Sequence, residues 1–238
     1  MSEEITVEAV GGDNQPPAEF QEKAKLVKEE LTLRIKENKE KLKAAAKAAA
    51  DKGVGLAAAE RTLVGGYQYW NVLTFGPYQT FNEPPYRPSK IIAAGEWARL
   101  WALVWVNPEN TPDGGYSGSE FFAARDYNAY FETINLTSAA DGPDHHVPGQ
   151  FASPAHEFNW FEWDFMWPDP DPEEKPNLYE VSFTIDLVDS GLSAAAFNTW
   201  HYDPDFEPGL PWIFPDVGDV GPRWQHDIPA RFLVYKKD

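Results

Sequence analysis

Cysteine is absent from this chain of 238 residues. That excludes disulfides, thiolate zinc sites, iron–sulfur clusters and a cysteine nucleophile. Long apolar runs are absent as well. The longest, Leu100 to Val106, holds seven residues, against the roughly 20 that a membrane-crossing helix needs. The start, Met1-Ser2-Glu3-Glu4, has neither the basic segment nor the apolar stretch of a Sec-type signal peptide. The compartment stays open, with the cytoplasm and an assembled particle both compatible.

Basic residues are scarce. Twenty Lys and Arg face 38 Asp and Glu, a net charge of −18. The imbalance is uneven along the chain. Residues 1–17 carry four acids and no base, residues 18–52 carry ten bases and seven acids, and residues 53–238 carry ten bases and 27 acids. A field of that sign repels phosphate backbones, so nucleic acid is not an expected partner of the large C-terminal region. An acidic surface also serves solubility.

Motifs that carry chemistry are sparse. No glycine-rich phosphate loop is present. Gly114-Gly115-Tyr116-Ser117-Gly118 places its serine one position late for a nucleophile elbow. His156-Glu157 lacks the second histidine of a zinc-protease helix. No catalytic residue is assigned.

Aromatic residues are plentiful at 15%, and 21 prolines with 17 glycines imply many stiff or sharply bent loops. Residues 1–17 read as a flexible acidic arm closed by Pro16-Pro17. Residues 18–52 are rich in Ala, Glu, Lys, Gln and Leu, which favour a long helix. Its seam runs Phe20, Ala24, Val27, Leu31, Ile35, Asn38, Leu42, Ala45, Ala49, a heptad-like stripe with one stutter. A thin seam needs a packing partner. The expected helix-interface residues are Phe20, Val27, Leu31, Ile35 and Leu42, lying along the β region, a second copy or a different protein. A short helix is expected over 56–64. The Gly65-Gly66 pair then marks a boundary, with a β domain over 66–238.

From Tyr67 onward the pattern has period two. In Leu178–Asp189, Tyr179, Val181, Phe183, Ile185 and Leu187 share one face. Phe161, Trp163, Phe165 and Trp167 do the same within Phe158–Trp167. Further strands are expected at Gln68–Phe75, Glu96–Val106 (buried on both faces), Tyr127–Thr137 and Arg231–Lys236. Long loops at 76–90, 107–118, 138–156, 168–177 and 203–229 join them, with His145-His146 an exposed loop pair. The fold class is α+β: a long N-terminal helical arm followed by an antiparallel, mainly β, sandwich.

Three functions compete. The first is a non-catalytic structural or assembly protein, docking on itself or on other subunits through the helix and aromatic surfaces. The second is a lectin-like carbohydrate-binding module, with Trp200, Tyr202, Trp212, Phe214 and Trp224 stacking on a glycan. Calcium is its candidate cofactor, held by Asp203, Asp205 and Glu207, alternate carboxylates in a bent loop. The third is a glycoside hydrolase-like enzyme with two opposed carboxylates. The absence of a catalytic motif leans away from an enzyme.

Overall fold

The computed structural model describes residues 15–51, 69–79, 84, 86–111, 114–167, 176–188, 195–197, 200–201 and 229–236. The elements in chain order are α1 (Ala18–Asp51), β1 (Trp70–Tyr78), β2 (Ile91–Ala93), β3 (Trp97–Val106), α2 (Gly118–Phe121), β4 (Asp126–Asn135), β5 (Ala140–Asp141), β6 (His145–Gln150), β7 (Phe158–Met166), β8 (Asn177–Leu187), β9 (Ala195–Phe197), β10 (Trp200–His201) and β11 (Ala230–Tyr235). The architecture is β-rich, with two sheets and one long N-terminal helix.

One sheet has four strands in the order β10-β1-β3-β7. The other has seven, ordered β2-β11-β8-β4-β5, with β6 also pairing β4 and β9 pairing β8. Most pairings are antiparallel, but β10 runs parallel to β1 and β2 runs parallel to β11. The expectation of a purely antiparallel arrangement is corrected at these two edges. Both parallel partners are short strands reached through long connections, the condition under which parallel pairing arises.

The core lies between the sheets. From β7 come Phe161, Trp163 and Phe165, with Trp167 just beyond its end, from β8 Tyr179, Val181, Phe183, Ile185 and Leu187, and from β4 Ala129 and Phe131. Phe161 meets Phe183 at a ring separation of 5.3 Å, and Phe131 meets Trp163 at 5.8 Å. Beside these rings β3 is small. Ala98 is opposite Phe165 and Ala102 opposite Phe161 in the ladder, which leaves room for large side chains on one layer. Interiors pack to crystal-like density, so such size alternation is required.

Strand β3 is buried on both faces, and α1 is the reason. Trp101, Leu103 and Trp105 of β3 and Leu73, Phe75 and Tyr78 of β1 form a second cluster with Ala24, Val27, Leu31 and Ile35. The helix therefore lies on the outer face of the four-stranded sheet. Over its described contacts, from Phe20 to Ile35, α1 does not project as a free arm. The apolar stripe is taken up by the chain's own tryptophans.

Two glycines answer to close approaches. Gly76 sits at φ +114° where β1 bulges between Phe75 and Tyr78. Only glycine adopts that conformation without strain. Gly149 of β6 lies under Tyr127, where an added Cβ would come within 2.4 Å of the phenol oxygen.

Candidate functional site

The residues expected to form a site fall in three places. Val27, Leu31 and Ile35 are buried against the four-stranded sheet, and Phe20 is half-buried beside them. The Leu42 side chain lies outside the described residues. Trp200 is placed by its backbone alone, in β10, opposite Leu73 of β1. Tyr202, Trp212, Phe214 and Trp224, with Asp203, Asp205 and Glu207, lie outside the described residues. Among the described residues no group of three or more histidines and carboxylates is arranged to hold a metal ion.

Under α1 lies a polar cluster that no motif announced. Arg99 of β3 is 6% exposed. Its Nε and Nη2 donate to the two carboxylate oxygens of Asp164, each at 2.5 Å. Nη2 also donates to Gln21 Oε1 at 2.6 Å, and Nη1 lies 3.2 Å from Glu162. Lys28 Nζ reaches the other Glu162 oxygen at 2.5 Å. Glu162 and Asp164 are outward neighbours on β7, the spacing at which a paired-carboxylate site could form. Here both are held by cations and overlaid by α1. They fasten the helix to the sheet.

The His145-His146 pair is not an exposed loop. It opens β6, an edge strand pairing with β4. His145 turns inward, its ring stacked on Trp163 at 6.0 Å and 8°. Burial lowers its pKa below the ordinary histidine value, Asp164 opposes that shift, and His146 adds to it. His146 turns outward and stacks on Tyr130 at 4.5 Å and 8°. Pro148 and Gly149 interrupt any strand pattern, so the sequence does not display this strand. An edge strand tolerates a proline that a central strand would not.

Ser117 has a local role. Its side chain accepts from the Glu120 N–H, and the Glu120 carboxylate accepts from the Ser117 N–H, a capping box opening α2. Asn135, in an Asn-Leu-Thr sequence, accepts from the Thr137 and Ser138 N–H groups and so caps the turn after β4.

The outer face of the seven-stranded sheet carries two kinds of row. One is polar and aromatic. It includes Asn128 and Tyr130 of β4, His146 of β6, and Thr184 and Asp186 of β8. His146 Nε2 lies 2.9 Å from Asn128 Oδ1, and Thr184 donates to Glu132 at 3.2 Å. The other row is apolar. Leu178 pairs with Leu233, and Leu233 with Ile91. Leu136 follows beside Leu178, to whose carbonyl its N–H donates at 2.8 Å. Ile91 is 59% exposed, Leu136 40% and Leu178 37%. Ile134 and Tyr235 are exposed nearby.

No family model matches this chain. No curated protein is similar to it either. Likeness to solved structures is slight. The C-terminal domain of wzt shares 7% identity at a TM-score of 0.36, over 71% of this chain and 72% of that one. The CARDB domain of a Pyrococcus furiosus protein shares 8% at 0.28, over 54% of this chain and 83% of that one. A family 123 glycoside hydrolase from Clostridium perfringens shares 9% at 0.31, over 56% of this chain and 27% of that one. Scores this low assign neither family nor function. No helix among the described residues is long and apolar enough to cross a membrane.

Proposed function

We propose that this chain is a non-catalytic assembly protein, a β-sandwich that docks through the face of its seven-stranded sheet that no other described element covers. The observation that carries the reading is the apolar row Leu136–Leu178–Leu233–Ile91. The corresponding face of the other sheet is covered by α1, so its tryptophans Trp101 and Trp105 are buried within the chain. The open row has no such cover among the described residues. Contiguous exposed apolar surface is a feature of protein contact sites. The partner is a second copy of the chain or another subunit of a larger complex, and the second copy is the one tested first.

The test is light scattering coupled to size exclusion across a concentration series. The full chain is expected to show a mass above one chain that grows with concentration. Leu178→Lys with Ile91→Lys is expected to run at the mass of one chain with an unchanged circular dichroism spectrum. A wild-type chain that stays at one-chain mass at every concentration would overturn self-assembly.

A second reading is carbohydrate binding. It is favoured by the Tyr130–His146 stack bordered by Asn128, Glu132 and Asp186, an aromatic face beside hydrogen-bond acceptors. Trp200, Tyr202, Trp212, Phe214 and Trp224, with calcium at Asp203, Asp205 and Glu207, belong to this reading as further contacts.

A further inference from the structure

We infer that the lysine-rich second half of α1 docks across the outer face of the seven-stranded sheet of another copy, joining chains head to tail. The inference rests on the assembly reading above and names its partner surface.

Charge points to this pairing. Residues 18–35 carry four bases and four acids. Residues 36–47 carry five lysines (36, 39, 41, 43 and 47) and two glutamates, a local charge of +3 within a chain of −18. The outward positions of the described strands on the open sheet face carry the opposite sign. Asp126, Glu132, Asp141, Glu180 and Asp186 stand there against a single arginine, Arg231, which is itself paired to Glu180 at 2.6 Å. Complementary fields steer such surfaces together and set their register.

Geometry points the same way. The described contacts of α1 with its own sheet end at Ile35, and the helix continues to Asp51. That is about four further turns, roughly 24 Å. Lys36, Glu37, Glu40 and Ala44 on this stretch are exposed. The apolar seam goes on in sequence as Leu42, Ala45 and Ala49, one large apolar residue followed by two small ones. The apolar row it would meet crosses three strand spacings, about 14 Å, which the helix can span.

The contact must be between copies. Helix α1 lies on the outer face of one sheet, and the acidic face is the outer face of the other, with the shared core between them. A straight helix cannot reach around its own core. A helix-to-sheet contact of this kind joins two different surfaces, so it either closes into a ring, the smallest being a pair that exchanges helices, or runs on as an open filament.

The experiment uses the full chain in two charge-reversed forms. One carries Lys36→Glu, Lys39→Glu, Lys43→Glu and Lys47→Glu. The other carries Glu132→Lys and Asp141→Lys, both exposed positions on the half of the sheet that holds the apolar row. Each alone is expected to self-associate roughly tenfold less tightly, or weaker, than wild type, because several exposed charge pairs turn repulsive together. An equimolar mixture is expected to co-assemble, since each helix then faces a sheet of opposite sign. If wild type assembles and either variant alone assembles equally well, the inference is overturned while the assembly reading stands. If both variants are monomeric and their mixture stays monomeric, the inference is also overturned. If wild type is monomeric throughout, both fail. Binding of wild type to anionic lipid vesicles without self-association would assign the lysines to a membrane surface and overturn it too.

Discussion

Arg99 and Asp164 meet in a two-pronged ion pair beneath α1, guanidinium Nε and Nη2 each 2.5 Å from a carboxylate oxygen. Neighbouring strands β3 and β7 place them directly opposite in the ladder. Gln21 closes the group from the helix side, donating to Asp164 at 3.3 Å and accepting from Arg99 at 2.6 Å. The pair thus links a strand ladder to the helix that covers it. Removing one member leaves a charge with little water, which costs more than the pair itself contributes. Arg99→Met is expected to lower unfolding free energy by roughly 3 kcal/mol. Arg99→Met with Asp164→Leu is expected to recover part of that loss. Urea denaturation of the two variants decides it. Equal losses in both would show that packing of the Arg99 stem, not charge, dominates.

The helix seam is expected to behave as core. Leu31 is buried in the cluster that α1 forms with the four-stranded sheet. Leu31→Ala should cost about 3 kcal/mol, the range for large-to-small changes in a packed site. Leu33, on the exposed side of the same helix, is 57% exposed, and Leu33→Ala should change stability by under about 0.5 kcal/mol. Thermal melts of both variants provide the check, and equal effects would place α1 off the sheet.

His145 makes stability depend on pH. Its folded-state pKa is lowered, chiefly by burial and secondarily by His146, with Asp164 opposing. The unfolded chain therefore takes up a proton at higher pH than the folded chain does. The neutral ring's contribution is whole above the unfolded value of about 6.5. It is lost as pH falls from there to the folded pKa, and levels off below. Denaturation midpoints between pH 8 and pH 5, for wild type and His145→Phe, measure it. The variant is expected to show the shallower fall. Parallel curves would remove His145 from the account.

Gly149 tests the edge of the large sheet. Any side chain there must displace the Tyr127 ring. Gly149→Val is expected to loosen β6 from β4, seen as faster amide exchange at Ala129 and Phe131. Tyr127→Ala with Gly149→Val should restore slow exchange. Unchanged exchange in the single variant would show that the ring moves aside at no cost.

Glycan binding has its own check. Tyr130→Ala should weaken binding to any glycan that the wild-type chain retains on an array. Flat binding by wild type across the array would dismiss the second reading.

Alternation in sequence made the inner layers legible. Tyr179, Val181, Phe183, Ile185 and Leu187 read as one face because period two is a local property, and they are the buried face of β8. The same holds for Phe161, Trp163 and Phe165 of β7. The helix was legible from its composition and stripe. Strand β6 was not, because His145-His146-Val147-Pro148-Gly149-Gln150 has no apolar alternation and is held as a strand by β4. The parallel partners β2 and β10 were equally hidden, being two or three residues long. The sequence displays candidate contacts on the helix seam and in the C-terminal loops. The polar and apolar rows of the large sheet went unseen, because each draws residues from strands distant in sequence.

By itself the sequence determined that α1 forms, that the strands alternate and that one stretch of the chain is basic. Each follows from neighbours within a few positions. Only the tertiary structure decided that Val27, Leu31 and Ile35 share one buried cluster with Trp101 and Trp105, that Arg99 faces Asp164, and that Leu178 lines up with Ile91 through Leu233. An apolar stripe states that a surface must be covered. Which surface covers it depends on how strands pair across the whole chain, and pairing is a non-local choice made by packing the two layers together.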